Sequence, residues 1–395
     1  MSDILDTLMK NSSSPFTRPL NDSFITDNTD INFPTDVPML NVAFSGTMDK
    51  GFSAGITIWA GPSKHFKSMY ALKQLDTWFQ ENPDGVCLFF DSEYGITEDY
   101  LHQYPNINMA RVLHTPVTTV EELKHEATKQ VENLYEIYKA DYKKAPKSAE
   151  RPKVFILVDS IGQLASNKET EDAKDGKATV DMTRAKAVKS FFRILTSKVK
   201  MLGIPMTVVA HTYQTLEMFS KAVLSGGTGL YYSADSIYII GKSQSKGTTS
   251  ATSKDLLGYN FTLRTEKSRF IKEGSKIPIQ VHYEKGIRKY SGFLDLAKAS
   301  GLVTQCRVGR AGGWQFKLDD PTAFGLTEEE GTFQTLTADA EDDKVFWDAV
   351  LKYTDFQATV EAMYKIPVNL SKEEEELIEN VDSNLADLVD GTDEA

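Results

Sequence analysis

The 395-residue sequence predicts an α/β fold: a mainly parallel central sheet covered by helices, antiparallel strands at its end, and a small α-containing C-terminal domain. Three observations carry this. Four short segments, "AGITIWAG", "GVCLFFDSE", "KVFILVDS" and "PMTVVAHT", are almost continuously apolar, as strands buried on both faces are. Stretches with helical spacing lie between them, and that alternation is the mark of a parallel sheet with helical crossovers. Beyond residue 234 the alternation stops, and "DSIYIIG", "YNFTLRTEK" and "IPIQVHY" follow one another without intervening helices, as antiparallel strands do.

Taken in order, residues 1–34 are rich in Ser, Asn, Asp and Thr and read as an N-terminal arm. The α/β core spans 35–291. Its first strand ends at Gly61, and "KSMYALKQLDTWFQEN" continues as a helix that stops before Pro83. Residues 118–140 and 181–202 are two further helices, the second ended by Gly203 and Pro205. A small helix-containing domain occupies 292–370. Residues 371–395 carry ten acidic residues and one lysine, a net of −9 out of −12 for the whole chain. This stretch reads as a solvated acidic tail, serving either solubility or competition with nucleic acid for a basic surface. The remaining body is nearly neutral, so a local phosphate-binding surface stays open to it. Cys87 and Cys306 are the only cysteines, which suggests a reducing compartment without a disulfide framework. No apolar run reaches membrane-spanning length, and the first residues lack the layout of a secretory signal.

"AGPSKHFKS", residues 60–68, approximates the phosphate-loop pattern G-x-x-x-x-G-K-[ST], with Phe66 where the second glycine belongs. It follows a strand and opens a helix, the setting in which backbone N–H groups cradle phosphates. Gly61, Pro62, Ser63, Lys64, His65 and Phe66 would form the cradle. Lys67 would reach the β- and γ-phosphates, and Ser68 would place its hydroxyl on Mg²⁺. A residue with a Cβ loses about 1–2 kcal/mol in left-handed geometry, so Phe66 is expected in near-helical conformation. Asp159 ends a strand where parallel sheets bind ligands and suits the water shell of Mg²⁺, or else caps the next segment. Glu93 ends another strand and is the candidate base for an attacking water, while Asp91 is read as facing the opposite side.

In order along residues 37–300, "GPSKHFKS", "LFFDSEYGIT", "VDSIGQLASNKETEDA", "DMTRAKAVKSFFRI" and "EMFSKAVLSGGTG" resemble the RecA-type homologous recombinases, in the form carried by T-even-like bacteriophages. The resemblance implies a RecA-like P-loop ATPase core that takes ATP and Mg²⁺ and hydrolyses ATP to ADP, with AMP as a further product left open. It implies a homo-oligomeric helical filament on single-stranded DNA that pairs with homologous duplex DNA and exchanges strands. Such a protein would serve recombination, repair and replication in the cytoplasm of an infected bacterial host. A single-strand-binding protein and a recombination mediator would be partners, and the arm would dock on the adjacent subunit. Tyr100 falls where the family stacks a ring on adenine. His211 stands where bacterial relatives have a γ-phosphate-sensing Gln, and it can also donate a hydrogen bond. Lys267 and Arg269 match two cations that reach the ATP of the neighbouring subunit. Residues two apart on a strand point the same way, so both could meet one phosphate group.

The segment 184–200 holds six basic residues and no acid. Val188, Phe191, Phe192, Leu195 and Val199 form its apolar stripe; Lys186, Lys189 and Arg193 form another stripe, which with Arg184 suits DNA phosphates. Family loops holding the single strand would be 165–183 and 212–229. In the second, Phe219 could wedge between bases beside Lys221, and Gly226 and Gly227 could let the backbone approach phosphate closely. A hexameric helicase on the same fold, or a non-catalytic recombinase paralogue acting as a loader, are the alternatives.

Overall fold

The computed structural model describes residues 4–23, 31–146, 148–176, 183–214, 222–225, 227–246, 256–283, 285–337 and 340–366. The described chain forms two compact units, residues 1–33 with 52–240 and residues 34–51 with 241–395.

The first unit is built on a sheet of β1 (Gly55–Gly61), β2 (Val86–Asp91), β3 (Val112–Pro116), β4 (Val154–Asp159), β5 (Pro205–Gln214) and the first half of β7 (Ser236–Lys246). Their order is β7-β1-β5-β4-β2-β3, and every neighbouring pair is parallel. A short strand, β6 (Ala222–Leu224), pairs antiparallel with the end of β5. All seven residues of β1 are buried, which accounts for its unbroken apolar run. Strand β3 has no counterpart in the sequence reading. It lies at the sheet edge, mostly exposed, so no burial pattern marks it.

The helix Lys67–Glu81 is pinned to the sheet beneath it. Trp59 of β1 lies between Tyr70 and Tyr238, with ring centroids 4.9 and 4.8 Å away. Its Nε1 donates to Oε1 of Gln74 at 2.7 Å, and the Thr207 hydroxyl donates to the same oxygen at 3.1 Å. The two buried polar side chains therefore satisfy one another. Helix Val120–Lys144 begins at Thr119, whose hydroxyl accepts the Glu122 N–H. It has acids in its first turn and lysines in its last, both matched to the helix dipole. Helix Thr183–Met201 buries Val188, Phe191, Phe192, Leu195 and Val199, the apolar stripe read from sequence. At the start of β1, Gly55 has φ 118°, and a Cβ there would lie 2.4 Å from Oδ2 of Asp235. That carboxylate oxygen accepts the Ile56 N–H, so only glycine fits.

In the second unit, the end of β7, β8 (Leu256–Lys267), β9 (Lys276–His282) and β10 (Gly286–Ile287) continue in the order β7-β8-β9-β10. The β8–β9 and β9–β10 pairings are antiparallel. This unit also holds a separate three-stranded antiparallel sheet, β11 (Thr304–Val308), β12 (Ala311–Lys317) and β13 (Thr332–Leu336), with helices Lys344–Tyr353 and Phe356–Tyr364. The C-terminal region is therefore mixed in composition. Its short hairpin strands, rich in Gly and half exposed, leave no continuous apolar signature. Helix Ile4–Asn11 falls within the stretch read as an arm.

Candidate functional site

The carboxyl ends of β1, β2, β4 and β5 meet on one edge of the parallel sheet, where ligands bind in such folds. Gly61 pairs in register with His211, and Asp91 with Asp159, so the strand ends carrying the candidate residues are adjacent by construction.

The loop from Gly61 to Lys67 contains two non-glycine residues in left-handed conformation, Lys64 at φ 63° and Phe66 at φ 53°. The near-helical expectation for Phe66 is thus overturned. Phe66 is the N-cap of helix Lys67–Glu81, and its carbonyl accepts the N–H groups of Met69 and Tyr70 at 3.0 and 3.4 Å. The turn needs left-handed geometry whatever residue stands there, and the Cβ cost of about 1–2 kcal/mol is accepted. No side chain among the described residues caps this helix, which leaves its first N–H groups available to an anion.

Lys67 is buried, and its Nζ donates to the Pro62 carbonyl at 2.9 Å across the loop. Burial lowers its pKa, while Glu93 and Asp159 oppose that shift. The Ser68 hydroxyl donates to Oδ2 of Asp159 at 2.5 Å. Asp159 is 3% exposed, and its other carboxylate oxygen, Oδ1, has no hydrogen-bond partner among the described residues. Burial pushes its pKa up to about 6. A buried, unsatisfied carboxylate oxygen beside a serine hydroxyl fits the hydration shell of a divalent cation.

Glu93 sits across from this pair. Its Oε1 accepts the Ser160 hydroxyl at 2.5 Å and meets Nε2 of His211 at 2.8 Å. An ionised carboxylate only accepts, so Nε2 carries the hydrogen. The His211 hydrogen bond is the main influence holding the Glu93 pKa below the ordinary carboxylate value; burial opposes it, and Ser160 and Lys67 assist. Glu93 is therefore ionised and oriented, with Oε2 turned to no partner among the described residues. The imidazole is held in place by close packing: a Cβ on Gly162 would lie 2.6 Å from Cδ2 of His211. Tyr100 lies in the short helix Glu98–Leu101, half buried, with its ring edge-on to Tyr104 at 5.8 Å. Burial raises the pKa of its hydroxyl.

The remaining candidates lie elsewhere. Lys267 closes β8 in the second unit, half buried, and Arg269 is exposed in the turn beyond it. The strand argument that aligned the two cations thus fails, because β8 ends at Lys267. On helix Thr183–Met201, Lys186, Lys189 and Arg193 are exposed, and no carboxylate among the described residues pairs with them. Lys200 instead pairs with Asp235 at 2.6 Å, and Lys198 pairs with Glu132. The Arg184 guanidinium donates to the carbonyls of Leu164, Ile161 and Gly162 at 2.7, 2.9 and 3.2 Å, which binds it to the chain's own backbone. Gly227 begins the helix Gly227–Ser233 with φ 72°. Phe219, Lys221 and Gly226 lie outside the described residues.

The recombination and repair protein of Enterobacteria phage T4 is 40% identical to this chain over 369 residues, covering 93% of this chain and 87% of that protein. This chain belongs to the family of that phage protein. No family model matches it. In this family member, three residues shape the site beyond those assigned to it from sequence: Asp91 was set on the opposite face, and Ser92 and Ser160 were passed over. Asp91 and Ser92 brace the Glu93 turn, and Ser160 binds Glu93 directly. Ser92 Oγ donates to the Ser160 carbonyl at 2.8 Å and accepts the Ser160 N–H at 3.0 Å. The available signal was the Asp-Ser pair repeated at both strand ends, "FFDSE" and "LVDSI". No helix among the described residues is long and apolar enough to cross a membrane.

Proposed function

We propose that the chain acts in phage recombination and repair as a DNA-dependent ATPase with a RecA-like P-loop core. It assembles as a helical filament on single-stranded DNA and exchanges strands with a homologous duplex. The observation that carries this reading is the convergence of Lys67, the Ser68–Asp159 pair and Glu93 at neighbouring carboxyl ends of one parallel sheet. Those groups match the needs of phosphoryl transfer to water: a cation for the phosphates, oxygens for a metal, and an ionised base. The role in recombination and repair rests on the kinship with the phage protein.

The loop Gly61–Phe66 and the uncapped helix N-terminus receive the phosphates of ATP, and Tyr100 is the candidate for stacking on adenine. Lys67 exchanges its Pro62 carbonyl for phosphate oxygens. Ser68 and Asp159 hold Mg²⁺, which when bound neutralises charge on the phosphates. Glu93 keeps Oε1 on Ser160 and His211 and takes a proton from the attacking water at Oε2. Lys267 and Arg269 supply positive charge to the triphosphate of a neighbouring subunit. Lys186, Lys189 and Arg193 offer the single strand three cations on one helix, with which no carboxylate among the described residues pairs.

The deciding experiment measures ATP hydrolysis with and without single-stranded DNA and images the protein–DNA product. Strong stimulation together with helical filaments is expected. Closed rings would select a helicase, and DNA-independent binding without turnover would select a loader.

A further inference from the structure

Asp91 is almost completely buried, 4% exposed, at the end of β2, and one of its carboxylate oxygens serves the turn that carries Glu93. Its Oδ1 accepts two consecutive backbone N–H groups, those of Glu93 and Tyr94, each at 2.9 Å. Its Oδ2 meets Nε2 of His114 at 3.1 Å, from the neighbouring strand β3. Tyr94 is held at φ 52°, a left-handed conformation in a residue with a Cβ. Its side chain is 56% exposed, so little packing of the ring retains that geometry. The two N–H bonds to Asp91 are what the turn offers in compensation.

From this arrangement we infer that Asp91, oriented by His114, is a positioning residue for the base of the hydrolytic reaction. It locks the Asp91–Tyr94 turn so that the Glu93 side chain emerges facing Ser160 and His211. The logic is geometric. The strand ends at Asp91, so sheet hydrogen bonds no longer fix the direction of residue 93. One carboxylate oxygen gathering two successive amides closes the chain into a single conformation immediately before and after Glu93. His114 takes the second oxygen and stops the carboxylate from rotating. Glu93 is therefore gripped twice: at its carboxylate by Ser160 and His211, and at its backbone by Asp91. Both amides that Asp91 Oδ1 accepts belong to the turn that carries Glu93, so this grip reaches the reaction through the placement of Glu93.

The inference rests on the hydrolytic reading above, and its test separates the two. The full-length protein is assayed for ATP hydrolysis with single-stranded DNA as wild type, Asp91→Ala, Asp91→Asn, His114→Leu and Glu93→Gln. Asp91→Ala should lower kcat by about 30-fold, in line with the cost of a misplaced catalytic group. Its KM for ATP should stay within about twofold, because ground-state binding is untouched. Asp91→Asn keeps an oxygen that accepts both N–H groups and should retain kcat within about threefold. His114→Leu, at a half-exposed ring that tolerates change, should lower kcat several-fold with KM again unmoved, and it serves should Asp91→Ala fail to fold. An Asp91→Asn variant as impaired as Asp91→Ala would overturn the inference. So would His114→Leu with wild-type kcat, or a loss shared equally by kcat and KM. If wild type is active and Glu93→Gln is not, a fully active Asp91→Ala sinks the positioning role alone. If wild type itself does not hydrolyse ATP, the hydrolytic reading fails instead.

Discussion

Replacing His211 by alanine removes one of the two hydrogen bonds that orient the Glu93 carboxylate. The bond from Nε2 to Oε1 is 2.8 Å long, and its partners are 23% and 31% exposed. A hydrogen bond to a charged group contributes about 1.5–3 kcal/mol, and partial solvent access places this one at the lower end. About 1.5 kcal/mol corresponds to roughly tenfold in the population of the oriented carboxylate, so kcat on the pH plateau should fall by up to about tenfold. The pH profile gives a second, independent reading. The His211 hydrogen bond is the leading influence lowering the Glu93 pKa, and burial works the other way. Losing the histidine therefore moves the Glu93 pKa up, and activity lost on acidification should be lost at higher pH than in wild type. His211→Gln restores an N–H donor and should recover most of both effects. Steady-state ATP hydrolysis with single-stranded DNA, measured across pH for the three proteins, is the assay. A His211→Ala enzyme with wild-type kcat and an unmoved acid limb would refute the role assigned to this bond. A His211→Gln enzyme as impaired as His211→Ala would show that hydrogen-bond donation is not what matters.

Three further outcomes are expected. Phe66→Gly removes the left-handed penalty of about 1–2 kcal/mol but adds about 0.5–1 kcal/mol of unfolded-state entropy; the thermal midpoint should therefore move by no more than about 3 °C, and a more than tenfold loss of ATP affinity would show that the ring itself shapes the loop. Asp159→Asn keeps an acceptor for Ser68 while removing the charge, and should raise the Mg²⁺ concentration for half-maximal hydrolysis at least tenfold, as read from a metal titration; an unchanged titration would place the metal elsewhere. Neutralising Lys186, Lys189 and Arg193 together should reduce the salt slope of single-strand binding by about 2, near 0.7 per phosphate contact; an identical slope, measured by fluorescence anisotropy, would assign the strand to another surface.

What could be read from the sequence follows one physical line. Buried strands and the apolar stripe of helix Thr183–Met201 were legible, because burial on both faces makes a strand continuously apolar and burial of one helix face imposes a period of 3.6. The half-exposed β3 and the glycine-rich hairpin of β11 and β12 were not, because exposure lifts that constraint. Within the site, the residue types Lys67, Ser68, Glu93 and Asp159 were readable, and their adjacency follows from strand register. The conformation of Phe66 was not, because local preference argued against the geometry that the turn imposes.

The misread positions share a further property: they lie where a strand stops. Alternation was carried past the end of β2 and misapplied there, since residues two apart share a face yet Asp91 was set opposite Glu93; the strand ends at Asp91, and its carboxylate turns back onto the two amides that follow. Alternation along β8 was likewise extended to Arg269, although the strand ends at Lys267. A parallel sheet gathers its chemistry at strand ends because only there does the backbone leave the ladder with N–H groups to spare and side chains free of the pleat. The same departure abolishes the periodicity on which sequence reading depends. In this chain the side chains that take over the task of the ladder are short and polar: Asp91 and Ser92 at one strand end, Ser160 at the next. Their repeated Asp-Ser spelling is thus the surviving signal of a turn that must be fixed without the help of a sheet.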